Sequence, residues 1–182
     1  MSWSRGRGVA WGIAAAAAGC AIGVAGLFIP TREVVYASEL TEFGCFDAPA
    51  GRGCAAWMRL SVGNTGNVEQ EVVHVVLPAA AARWMISTRV FDIRASTERR
   101  SDPVIVHQEK AQALVYEIRP LPRNTVVDFH LQCLFCPPED ATALRPSDIR
   151  IEAAAKVREG DPRTLTLLRI LGTAFAFFLP RS

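Results

Sequence analysis

The chain has 182 residues, a length that suits one domain with accessory segments rather than two full domains. Its 20 basic and 18 acidic residues leave a formal charge of +2, too balanced for a protein that must neutralise a run of phosphates, so nucleic acid is excluded as a partner. Half of the residues are hydrophobic, and they gather at the two ends.

The first feature in chain order is VAWGIAAAAAGCAIGVAGLFI, residues 9–29, an uncharged run. At about 1.5 Å of helical rise per residue it can cross a hydrocarbon core of about 30 Å. Arg5 and Arg7 precede it, while Arg32 and Glu33 cancel behind it. The positive-inside rule therefore puts residues 1–8 in the cytoplasm and the following segment outside, and makes the lipid bilayer a partner. Two alternatives compete with an uncleaved anchor. Ala17-Ala18-Gly19-Cys20 resembles a lipobox, whose cysteine would carry lipid, and Val35-Tyr36-Ala37 has small residues suited to signal cleavage. The apolar run continues past Cys20 and is long for a signal peptide, which favours the anchor.

From 33 to 160 the pattern changes to short runs of period two, broken by Gly, Pro, Asn and Asp. Met58, Leu60 and Val62 alternate with Trp57, Arg59 and Ser61; Val73, Val75 and Leu77 alternate with Val72, His74 and Val76. The Gly63–Asn67 connection between them predicts a pair of antiparallel strands. Further strands are expected at 85–93, 104–106, 113–118 and 125–131, and one at 149–157, where Ile149, Ile151, Ala153, Ala155 and Val157 share a face. No long amphipathic helix competes. The expected fold class is all-β, a sandwich of short strands.

RLSVGNTGNVEQEVVHVVLP resembles the N-x-G-N hairpin of bacterial immunoglobulin-like cell-surface modules, including the CARDB type, and ALVYEIRPLPRNTVVDFHL resembles their later strand pair. The resemblance implies an immunoglobulin-like β-sandwich with a binding or spacing role. Pro122-Arg123-Asn124-Thr125 stands where those modules usually carry glycine and serine, and no functional residue is carried over.

Four cysteines follow the anchor: Cys45, Cys54, Cys133 and Cys136. An even number in an oxidising compartment points to two disulfides, with three pairings open. Cys133 continues the inward face of Phe129 and Leu131, while Cys136 is expected beyond the strand, in a loop. A catalytic C-x-x-C needs a helix N-terminus to hold its thiolate, and Pro137-Pro138 discourages one. Zinc would need closer spacing than Cys45 and Cys54 offer, and His74, His107 and His130 are scattered. A thiol–disulfide or metal-handling protein using Cys133 and Cys136 is nonetheless the alternative from another class. Trp57 and Trp84 are candidate core anchors, and an exposed Trp84 would instead mark a contact surface.

At the C-terminal end, residues 164–180 are apolar apart from threonines, a glycine, Arg169 and a final proline. A second membrane span is expected there, with Arg169 snorkelling to the headgroups or pairing with an acid in a partner's span; a buried helix or strand of the domain is the alternative. No phosphate loop, nucleophile elbow or zinc-protease motif occurs, so no cofactor or metal and no enzymatic activity is expected. The expectation is a bacterial inner-membrane protein with its sandwich on the extracytoplasmic side. It would bind or scaffold a protein partner through loops, an edge strand or the spans.

Overall fold

A computed structural model describes residues 30–48, 51–93, 97–98, 103–110 and 112–178. The expected cytoplasmic tail (1–8) and anchor (9–29), with Cys20, lie outside the described residues. In chain order the strands are β1 (Glu33–Ala48), β2 (Gly51–Asn64), β3 (Val73–Pro78), β4 (Met85–Asp92), β5 (Thr97–Glu98), β6 (Val104–Lys110), β7 (Ala113–Arg119) and β8 (Thr125–Cys136). A short helix α1 (Pro138–Ala141), β9 (Arg150–Ala153), β10 (Lys156–Glu159) and helix α2 (Pro162–Phe178) complete the order.

The strands form two sheets, as the alternation predicts: β10-β1-β2-β8-β4-β5 and β6-β7-β3-β9. Because side chains alternate across a strand, each sheet turns one apolar face inward. Met58, Leu60, Val62, Phe129 and Leu131 from the first sheet meet Val73, Val75, Leu77 and Ile118 from the second, all essentially buried. Tyr116 packs edge-on to Phe129 at 5.3 Å between ring centroids, joining the sheets through their aromatic side chains.

Three sequence expectations change. The runs at 57–62 and 73–77 are not a hairpin: β2 pairs with β1 and β8, β3 with β7 and β9. The connection between them is tied elsewhere. Asn64 donates through Nδ2 to the carbonyls of Val68 and Leu121, and Asn67 N–H donates to the Thr31 carbonyl at 3.1 Å. A Cβ on Gly66 would stand 2.3 Å from the Thr31 carbonyl oxygen, so only glycine fits this close approach. The run 149–157 is likewise two strands. It breaks at Ala154-Ala155, so that β9 serves the smaller sheet and β10 runs parallel to β1 in the larger. Finally, β8 continues to Cys136, well beyond the expected end at Leu131.

The described part of the run expected as a second span lies in α2. Residues 162–178 are helical, but among the described residues no helix is long and apolar enough to cross a membrane. The first turns of α2 instead dock on the outer face of the larger sheet. Pro162 is buried against Gly63, where a Cβ would come within 2.5 Å of the Pro162 ring. Arg163 donates to Asp128 at 2.6 Å, and its guanidinium lies 5.2 Å from the Phe91 ring centroid. Asp128 is buried and also accepts from Ser61 Oγ at 2.7 Å, so its charge is compensated on both oxygens.

Candidate functional site

Two opposite ends of the larger sheet carry different chemistry. At one end, the base, the N-terminal approach and α2 come together. Arg169 donates through Nη1 to the Thr65 carbonyl and through Nη2 to Thr31 Oγ1 at 3.2 Å. The fork of Arg169 thus reads a carbonyl and a hydroxyl of this domain. Asp161 opens α2, accepting from the N–H groups of Arg163 and Thr164 at 3.1 and 3.2 Å and from the Thr164 hydroxyl. Partial burial pushes the Asp161 carboxyl upward, but these hydrogen bonds and the Arg163 charge outweigh it and hold its pKa below the ordinary value.

At the other end, the tip, four cysteines converge on three neighbouring strands. Cys45 and Cys54 are direct cross-strand partners of β1 and β2, and they form a disulfide with Cα atoms 4.0 Å apart. Cys133 and Cys136 close a second disulfide within β8, with Cα atoms 5.9 Å apart. Cys54 is also the cross-strand partner of Cys136, whose sulfur lies 3.6 Å from the Cys54 carbonyl oxygen. Both bridges are thus side by side at one end of the larger sheet. Cys54 and Cys133 are buried and Cys45 and Cys136 half-buried. The C-x-x-C ends a strand and precedes a four-residue helical turn, so it lacks the helix dipole that stabilises a catalytic thiolate. Among the described residues no three His, Cys, Asp or Glu side chains are grouped to hold a metal. The histidines stay apart: His74 lies 3.8 Å from Glu117, and His107 stacks on Tyr116 at 5.8 Å between centroids.

Around the staples the surface is apolar. Phe135 takes a left-handed backbone (φ 54°), which turns its ring outward, and it is 75% exposed. It meets Phe46 edge-on at 5.3 Å, the two rings lying over Gly53. Leu134 on β8 and Phe43 and Leu40 on β1 are exposed nearby. Strand β10 pairs only with Glu33–Tyr36, so from Ala37 onward no described strand covers the outer edge of β1. Between tip and base, the outer face of the sheet holds an open groove of about 440 Å³ lined by Thr41, Glu42, Trp57, Arg59, His130 and Gln132. Exposed Met85 stands beside Gln132 in register.

Trp84, a candidate core anchor whose exposure would have marked a contact surface, is not part of this surface. It is 4% exposed in the core, and its indole N–H donates to the Asp140 carbonyl at 3.2 Å, closing the sandwich under α1. Trp57, the other candidate core anchor, lies instead on the outer face, half-buried in the groove. The alternation that puts Met58, Leu60 and Val62 inward already assigns Trp57 outward with Arg59, and is the signal that finds it. No family model and no curated protein matches the chain.

Proposed function

We propose that the protein is a membrane-tethered, extracytoplasmic binding module of immunoglobulin-like architecture, held by residues 9–29. It presents the outer face and stapled tip of its larger sheet to a protein partner. One observation carries this reading: among the described residues the outer face is covered by α2 at the base and left open from Arg59 to Phe135, where Trp57, Met85, Leu134 and the Phe46–Phe135 pair stand among polar side chains such as Arg59, His130 and Gln132. A rigid aromatic surface with a polar margin is what protein contacts are made of. The disulfides suit an oxidising compartment and fix the tip against the entropy that ordering it on binding would cost. Since base and tip are at opposite ends of β1, a tether at the base points the contact surface away from the bilayer.

The reading is tested in intact cells with a photocrosslinking residue at Phe135, and with the same residue at the exposed Glu71 as control. A discrete adduct from 135, absent from 71 and lost with Trp57→Ala, is expected. Equal adducts from both positions, or labelling of Glu71→Cys only after the membrane is made permeable, would sink it.

A further inference from the structure

The direction of the backbone groups along the outer edge of β1 follows from the cysteines. Directly opposite residues of an antiparallel pair are either hydrogen-bonded, with Cα atoms about 5.5 Å apart, or non-bonded and closer, at about 4.5 Å. Cys45 and Cys54 are 4.0 Å apart, so they form a non-bonded pair, and the N–H and C=O of Cys45 point away from β2. By the period of two, the backbones of Phe43 and Asp47 point the same way. Nearer the base this is the side on which β10 lies, since the Gly160 N–H donates to the Tyr36 carbonyl at 2.8 Å. Phe43, Cys45 and Asp47 therefore each turn an N–H and a C=O to an edge that no described strand covers. Sheet edges are commonly blunted by lysine, proline or a bulge. Strand β6, the outer strand of the smaller sheet, ends in Lys110. In β1 the bulge lies on the base side of Phe43, and Ala37–Ala48 contains no lysine, arginine or proline.

We propose that the edge of β1 from Phe43 to Asp47 takes up an extended segment of the partner protein, alternating apolar with basic residues, as an added strand of the larger sheet. The side chains of β1 decide that composition. An added residue opposite Cys45 lies on the inner face beside Phe43, which is 51% exposed, and calls for an apolar side chain. One opposite Gly44 lies on the outer face, between Glu42 and Phe46. A Cβ on Gly44 would meet nothing within 4 Å, so this position is an open slot. A lysine or arginine laid in it reaches exposed Glu42, which holds no ion pair among the described residues, whereas Glu39 is already met by Arg59 at 3.8 Å. A second copy of the chain fits the edge less well. Ala37–Ala48 carries Glu39, Glu42 and Asp47 and no cation, so two such strands side by side bring acid against acid. The Cys45–Cys54 bridge holds the edge to β2 before a partner arrives, so little entropy is lost in ordering it.

This inference deepens the proposed binding role and rests on it. The test uses the full chain in detergent, with a short peptide of alternating valine and lysine as probe and its valine–glutamate counterpart as control. With the basic peptide, amide hydrogen exchange is expected to slow about tenfold at Phe43, Cys45 and Asp47. It should stay unchanged at Gly44 and Phe46, whose N–H groups already face β2. Phe43→Pro removes one edge donor at a position where an edge strand tolerates proline, and should abolish the effect that Phe43→Ala only weakens. Equal slowing by the acidic peptide, or none by either, overturns the edge assignment, and exchange in the wild type decides this even if Phe43→Pro does not fold. Slowing that grows with the chain's own concentration, without peptide, makes the occupant a second copy and overturns the basic segment. If the crosslink from Phe135 forms while the peptide has no effect, the edge alone falls and the wider binding surface stands; without the crosslink both fall.

Discussion

Cys54 faces Cys136 across β2 and β8, yet each is bonded to a different partner, Cys45 and Cys133. The tip is therefore closed by two short covalent loops on adjacent strands, not by one bridge between distant ones. Cys45–Cys54 spans nine residues and closes the longer of the two loops. Its removal by Cys45→Ala with Cys54→Ala is expected to cost about 2–3 kcal/mol, and Cys133→Ala with Cys136→Ala less, because stabilisation grows with loop length. Urea unfolding of the two double variants checks the order, and a larger loss from the Cys133–Cys136 pair would contradict it.

Gly63 and Pro162 touch where α2 meets the sheet. Gly63→Ala puts a methyl group 2.5 Å from Pro162 and 2.9 Å from Val126, an overpacking expected to destabilise by about 1–3 kcal/mol. Hydrogen exchange should show the loss concentrated in the first turns of α2. Uniform loss of protection across both sheets would mean the contact is not local.

Thr166 is 2% exposed and its hydroxyl has no hydrogen-bond partner. An unpaired buried hydroxyl carries an uncompensated desolvation cost, so Thr166→Val should leave stability unchanged or raise it by up to about 1 kcal/mol. The thermal midpoint of the variant decides this; a fall of several degrees would reveal a bond that the hydroxyl makes.

Asp161 has a lowered pKa, so its contribution to α2 is present above the ordinary aspartate value of 3.8 and disappears as pH falls through the still lower folded value. Asp161→Ala should weaken protection of the first turn of α2 by about 1 kcal/mol at neutral pH, the ordinary worth of an N-cap. The difference from the wild type should shrink steadily below pH 3.8. Exchange rates at Thr164 over that range provide the check, and a constant difference would assign the loss to something other than the carboxylate.

The inward rows were legible because burial repeats every second residue: Met58-Leu60-Val62 and Val73-Val75-Leu77 are core rows in both readings. Strand β1 was not, for a physical reason. Among the residues of β1 whose burial is described, only Val34 and Val35 are buried, and a bulge between Leu40 and Glu42 breaks the period, so most of β1 looks like loop. The partner of β3 was also hidden, since nothing in the spacing of Gly63–Asn67 states that Asn64 reaches Leu121. The apolar composition of 164–180 suggests a span and does not show that the first turns of α2 dock on the sheet. That docking depends on Asp128, Gly63 and Thr65, residues far away in the chain. At the site, the paired cysteines were foreseen as bridges without their pairing, while the exposure of Phe135 follows from a positive φ that no residue type announces.

The sixteen residues of β1 measure the distance between the two ends of the domain, roughly 50 Å at about 3.3 Å each. With the base at a lipid surface, that height is several times the Debye length of about 8 Å at physiological salt. Phe46 and Phe135 would then lie outside the electric field of the headgroups. Encounter at the tip would depend on shape and apolar contact and be indifferent to lipid charge, so a change of lipid composition would alter how firmly the protein is held without altering what it meets.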